Sequence, residues 1–158
     1  MDESLKGIWE TFSRYEFDKV GRTSRILKIG FGPKGADPLL SIDFRDLSDG
    51  ERMLVMLYAL VAYQRSQPPT TIIVDEPDNF VSLLELQPWL RALLDTRPEG
   101  GQIILVSHNP EVIGTMGEER VAWFSRADHL SPTRVSALPP DDSGLSLPER
   151  IARGWIDA

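Results

Sequence analysis

The sequence predicts an α/β domain with a mostly parallel sheet flanked by helices and a β-hairpin near the N-terminus. Two observations carry this. Thr71-Ile72-Ile73-Val74 and Gln102-Ile103-Ile104-Leu105-Val106 are short apolar runs, each ending in polar residues. Such continuous runs read as strands of a parallel sheet buried on both faces. About thirty residues with one helical pattern separate them, the size of a β-α-β unit, which makes the two strands neighbours.

The bulk composition fits this. The chain has 158 residues, 41% hydrophobic and 26% charged, enough for one domain of ordinary soluble composition. Net charge is −7 and basic residues do not cluster, which disfavours a phosphate-binding platform for nucleic acid on this stretch. Cysteine is absent, so disulfides and thiolate metal sites are excluded. No apolar run approaches a membrane span, and the acidic start does not read as a signal peptide. A cytoplasmic protein without membrane association is the expectation.

In chain order, Leu5, Ile8, Trp9 and Phe12 fall at helical spacing and predict a helix over 3–16. Residues 24–31 and 39–44 read as two strands of a hairpin around the turn-rich stretch 32–38. This hairpin contains Gly30-Phe31-Gly32-Pro33-Lys34-Gly35, which fits the dinucleotide fingerprint G-x-G-x-x-G. The fingerprint requires glycines that lead into a helix. Here Pro33 and Pro38 intervene and a strand follows, so the hairpin turn is the preferred reading.

Leu47-Ser48-Asp49-Gly50-Glu51 opens a long helix over about 49–65, which Gln67-Pro68-Pro69 ends. Ser48 and Glu51 form a capping box, which helix initiation alone explains. Gly50 is the unusual residue, because glycine in a first turn costs about 1 kcal/mol against alanine. It suits close approach of a ligand to the backbone, and a helix N-terminus is a natural anion site. Both readings stay open at this point.

The strand at 71–75 runs into Asp75-Glu76-Pro77, at the end where parallel sheets carry their chemistry. An ordinary acidic turn is the alternative. Asp78-Asn79-Phe80 makes a turn, and 82–96 reads as a helix that Pro88 kinks or restarts. After the second apolar run come Ser107-His108, with Asn109 as N-cap and Pro110 at the first helical position. Taken alone, His108 reads first as a helix-entry residue bonded locally. Residues 120–125 and 133–138 read as a hairpin; His129 in its turn has no assigned role. A linker at 139–144 and a closing helix from Leu147 to Trp155 complete the chain.

Leu47-Ser48-Asp49-Gly50-Glu51, Ile72-Ile73-Val74-Asp75-Glu76-Pro77 and Val106-Ser107-His108, in that order, resemble the signature, Walker B and switch-histidine motifs of ABC-type ATPases. Within that class the chain is similar to the AAA-type ATPases grouped with the OLD and SMC-like proteins. The resemblance is strong over 40–125. It implies a single partial P-loop NTPase domain over 1–158: helix and hairpin over 1–46, motif core over 47–125, hairpin and helix over 126–158.

The resemblance implies the cofactors ATP and Mg²⁺. Asp75 would hold the metal, Glu76 would act as general base on water, and His108 would contact the γ-phosphate. Ser48 and Gly50, with Glu51, would meet nucleotide held by the opposite protomer of a homodimer. Two departures stand out. Ser82 occupies the place of the aspartate that normally follows Walker B. The Walker A pattern G-x-x-x-x-G-K-[ST] is absent, and Lys34 is not in that context. The chain is therefore expected to be the C-terminal lobe of a larger ATPase, inactive alone and completed by a Walker A lobe from the same gene or in trans. A degenerate lobe acting as an interaction module for a partner ATPase is the alternative. Nucleic acid stays open for the full-length protein but is not indicated by this stretch.

Overall fold

A computed structural model describes residues 5, 7–33, 35–66, 69–96, 99–138 and 143–156. The chain divides into two compact units, Met1–Val106 and Ser107–Ala158.

The first unit begins with β1 (Phe12–Val20) and β2 (Ser24–Phe31), which turn through Gly21, and continues to β3 (Leu40–Asp43). The three form an antiparallel sheet in the order β1-β2-β3. The register pairs Tyr15 with Ile29 and Ile29 with Ile42. This corrects the helix expected over 3–16. Helical spacing holds for one turn only: the Ile8 and Trp9 N–H groups donate to the Leu5 carbonyl at 3.0 and 2.8 Å. The Phe12 N–H still donates locally, to the Trp9 carbonyl at 2.9 Å, but from Phe12 the chain pairs with β2, because a ladder of cross-strand pairs outweighs a weak local helix preference. Residues 3, 4 and 6 of that expected helix lie outside the described residues.

The hairpin expected over 24–44 is present as β2 and β3. Two of its glycines serve packing: a Cβ on Gly30 would stand 2.6 Å from the Pro38 ring, and one on Gly32 2.9 Å from the Leu39 nitrogen. The backbone of this loop runs from strand to strand, so the fingerprint has no helix to lead into. Lys34 lies outside the described residues.

A short 3₁₀ turn (Phe44–Asp46) follows, capped by the Asp43 carboxylate, which accepts from the Arg45 N–H. Helix α1 (Asp49–Ser66) then buries Leu54, Leu57, Tyr58 and Val61 along one stripe. Residues 67 and 68, which were expected to end it, lie outside the described residues. Helix α2 (Leu83–Asp95) buries Leu86, Trp89, Leu90 and Leu93, and Pro88 sits inside it as one continuous helix. The two helices pack together, and the fully buried Trp89 donates its indole N–H to the Leu57 carbonyl at 2.8 Å. That bond satisfies the one polar group a buried tryptophan carries.

Strands β4 (Thr71–Asp75) and β5 (Gln102–Val106) pair in parallel, Thr71 with Gln102 through Asp75 with Val106. The β-α-β unit is as expected. The expectation of burial on both faces is corrected. Ile72 is buried, but Ile73 is 66% exposed, Ile104 38% and Val106 50%. Strand side chains alternate between faces, and among the described residues only one face of this pair is covered. Among the described residues, parallel pairing is confined to β4 and β5, so the fold is α/β with mixed parallel and antiparallel sheets.

The second unit contains helix α3 (Pro110–Met116), the antiparallel hairpin β6 (Ala122–Ser125) and β7 (Arg134–Ala137), and helix α4 (Leu147–Ala152). α3 packs against α4, where a Cβ on Gly114 would meet the Pro148 ring at 2.6 Å. α4 ends earlier than Trp155, and Gly154 takes a left-handed φ of 69° just beyond it. Residues 139–142 of the expected linker lie outside the described residues. No described helix is long and apolar enough to cross a membrane.

Candidate functional site

The carboxyl ends of β4 and β5 form the site's floor. Asp75 ends β4 opposite Val106, and its side chain is exposed. Glu76 follows with φ at +46°, the one non-glycine residue in the left-handed region among those described. That conformation costs a residue with a Cβ about 1 kcal/mol or more and persists only where the surroundings over-determine it. Three hydrogen bonds do so. The Glu76 N–H donates to the Val106 carbonyl at 2.8 Å, and the Glu76 carbonyl accepts from the Asn79 N–H at 3.2 Å. The Asn79 side-chain amide donates to Glu76 Oε2 at 2.8 Å. Pro77, buried behind this turn, fixes its exit.

The N-terminus of α1 meets the same turn. A Cβ on Gly50 would stand 2.6 Å from the Phe80 carbonyl oxygen. Gly50 is thus explained by backbone contact with the turn after Glu76. Ser48 and Glu51 form the expected capping box: the Ser48 N–H and hydroxyl both donate to Glu51 Oε2 at 2.8 Å, and the Glu51 N–H donates to Ser48 Oγ at 3.3 Å. Arg52 pairs with Asp49 on the same first turn. The first unit therefore brings the Ser48–Gly50–Glu51 helix start against the segment that follows Asp75 and Glu76.

His108 belongs to the second unit, two residues after Val106 in the sequence, and its side chain is exposed. Its neighbours form a tight polar turn. The Asn109 N–H donates to Ser107 Oγ at 3.0 Å, and Asn109 Oδ1 caps α3 by accepting from the Glu111 N–H at 3.0 Å. Ser82 caps α2 with Glu85, its hydroxyl donating to Glu85 Oε2 at 2.7 Å. Helix capping by itself explains a serine at this position.

Asn79 and the Phe80 carbonyl were not singled out by sequence reasoning. The signal was present for Asn79, an amide three residues after a carboxylate in a turn, whereas a backbone carbonyl leaves no mark in sequence. Among the described residues no group of three or more His, Cys, Asp or Glu side chains could hold a metal by itself. Asp75 offers a single exposed carboxylate, so a hard cation held there would need most of its ligands from elsewhere.

Residues 9–114 match the family model described as AAA domain, putative AbiEii toxin, Type IV TA system. The chain belongs to this AAA-domain family. Membership makes it an ATPase-type, P-loop NTPase-related domain. The matched span of the AAA domain runs from β1 into α3 and includes Ser48, Gly50, Glu51, Asp75, Glu76 and His108. Among solved structures, the AAA domain is similar to a chain described under "Structural biochemistry of ATP-driven dimerization and DNA stimulated activation of SMC ATPases". The TM-score is 0.59 at 15% identity, over 87% of this chain and 80% of that one. The likeness is one of fold. No curated protein matches the chain.

Proposed function

We propose that this chain is the C-terminal lobe of an ABC-like ATPase. It supplies the signature motif, Walker B and the switch histidine to ATP binding and hydrolysis at a dimer interface. A Walker A lobe, in the same polypeptide or in trans, completes the site. The observation that carries the reading is Glu76, held in a strained backbone conformation at the carboxyl end of a parallel strand, directly after an exposed Asp75. Strain of this kind concentrates where a side chain must be aimed. Membership of the AAA-domain family and the order of the three motifs support it.

In this reading Asp75 holds Mg²⁺, which supplies charge neutralisation on the phosphates. Glu76 orients the attacking water and accepts its proton. His108 donates a hydrogen bond to the terminal phosphate, and Ser48 and Gly50 present the α1 N-terminus to nucleotide held by the opposite protomer. The work is positioning and charge stabilisation, which is what phosphoryl transfer asks of a protein. ATP-driven dimerization is in the description of the SMC structure, and a nucleotide-bridged homodimer is proposed here by analogy of fold.

A second reading is favoured by one specific feature, the absence of G-x-x-x-x-G-K-[ST] from this sequence. The lobe would then be a non-catalytic module that pairs with a partner ATPase through its Ser48–Gly50 face. The test joins the chain to a Walker A lobe and compares Glu76→Gln with Ser48→Ala. Loss of turnover with nucleotide binding kept in Glu76→Gln supports catalysis. Partner activity that depends on Ser48 and tolerates Glu76→Gln supports the module.

A further inference from the structure

We infer that Asn79 is a positioning residue for Glu76, holding one carboxylate oxygen so that the other faces the water it activates. The inference rests on the proposed role of Glu76 as general base. It stands on geometry. Asn79 touches Glu76 twice, its backbone N–H donating to the Glu76 carbonyl at 3.2 Å and its side-chain amide to Oε2 at 2.8 Å.

The two bonds have different consequences. The backbone bond closes the turn and could be made by any residue other than proline. The side-chain bond needs a donor of the right length at this position. A carboxylate has two oxygens and about four lone-pair sites, so Asn79 takes one oxygen without removing the capacity to accept a proton. It also removes rotamer freedom from a long, flexible side chain, which otherwise loses entropy on each turnover. Glu76 is only half-buried, between the exposed Asp75 and Asn79, so a hydrogen bond adds to what packing holds. A fixed second point of attachment is what pre-organised sites use to keep a base within reach of its water.

Asparagine is suited to the position. An aspartate would keep the shape and the turn-forming tendency but would replace the donor with a like charge beside Glu76. A serine keeps a shorter donor.

The test uses the chain joined to a Walker A lobe, with ATP and Mg²⁺, and compares wild type, Asn79→Asp, Asn79→Ser and Glu76→Gln. Asn79→Asp is expected to lower kcat about tenfold or more, the scale of a modest misplacement, with KM and nucleotide affinity unchanged. Asn79→Ser recovers part of the rate. Independently of turnover, the Asn79 side-chain amide resonances in the unjoined chain should shift in Glu76→Gln. A wild-type rate in Asn79→Asp beside an inactive Glu76→Gln would overturn the positioning role and leave the base assigned. A wild-type rate in Glu76→Gln would overturn the base and the positioning role together. Equal losses of kcat and nucleotide affinity in both Asn79 variants would reduce Asn79 to a turn-former.

Discussion

The Phe80 carbonyl oxygen lies 2.6 Å from the point where a Cβ on Gly50 would stand. This contact ties the start of α1 to the turn that follows Asp75 and Glu76. The helix start that carries Gly50 is therefore packed on the turn three residues beyond Pro77, within one unit.

Gly50→Ala tests the contact. In an open first turn this change would stabilise by up to about 1 kcal/mol from helix propensity. Here the added methyl meets backbone, which cannot rotate away, and overpacking costs about 1–3 kcal/mol. The clash wins, so a lower urea midpoint with an unchanged slope is expected. A higher midpoint would mean that α1 and the turn are not packed this closely.

Glu76 offers a comparison in which the lost side-chain bond cancels. Glu76→Gly and Glu76→Ala both remove the carboxylate that Asn79 holds. Only glycine accepts a φ of +46° without cost. Glu76→Gly should be the more stable of the two by about 1 kcal/mol. Equal thermal midpoints would show that the backbone is not held in the left-handed region.

Asp43 gives a pH-dependent signal through Arg45. Hydrogen bonds from the Arg45 guanidinium and backbone N–H hold its carboxyl down from 3.8 to about 2. A folded-state value below the unfolded one means that Asp43 contributes stability above about pH 4. That contribution is lost as pH falls toward about 2. NMR titration should find the depressed midpoint in the wild type and its return toward the ordinary carboxylate value in Arg45→Ala. Identical midpoints would contradict the ion pair.

Ile73, Ile104 and Val106 expose one face of the β4–β5 pair. Contiguous apolar surface of this kind promotes association. Replacing Ile73 and Ile104 together with threonine keeps β-branched side chains on the strands while lowering apolar area. Light scattering should report less self-association of the chain, with little change in thermal midpoint. A midpoint that collapses instead would mean that this face is packed in the folded chain.

Much of this architecture was legible because it follows local rules. The capping box at Ser48 and Glu51, the apolar stripes of α1 and α2, and the Asn109–Pro110 helix start all depend on residues within one turn. The parallel pairing of β4 with β5 followed from two similar apolar runs separated by one helix. The failures have one cause, which is that pairing partners are distant in sequence. Leu5, Ile8, Trp9 and Phe12 keep helical spacing, yet Phe12 to Val20 pair with β2. Ile72-Ile73-Val74 reads as buried on both faces, while the structure covers only the Ile72 face. At the site, Asp75 and Glu76 were visible as a motif. The strain at Glu76 and its clamp by Asn79 were not, because a backbone angle is not written in residue type for a non-glycine residue.

Hydrolysis by Glu76→Gln tests the central claim most directly. The chain joined to a Walker A lobe is compared with its Glu76→Gln variant for ATP turnover and for nucleotide binding. Glutamine keeps the size and can still accept from Asn79, but it cannot take a proton from water. The account predicts that turnover falls by about a hundredfold or more while nucleotide binding is kept. Turnover at the wild-type rate would contradict it.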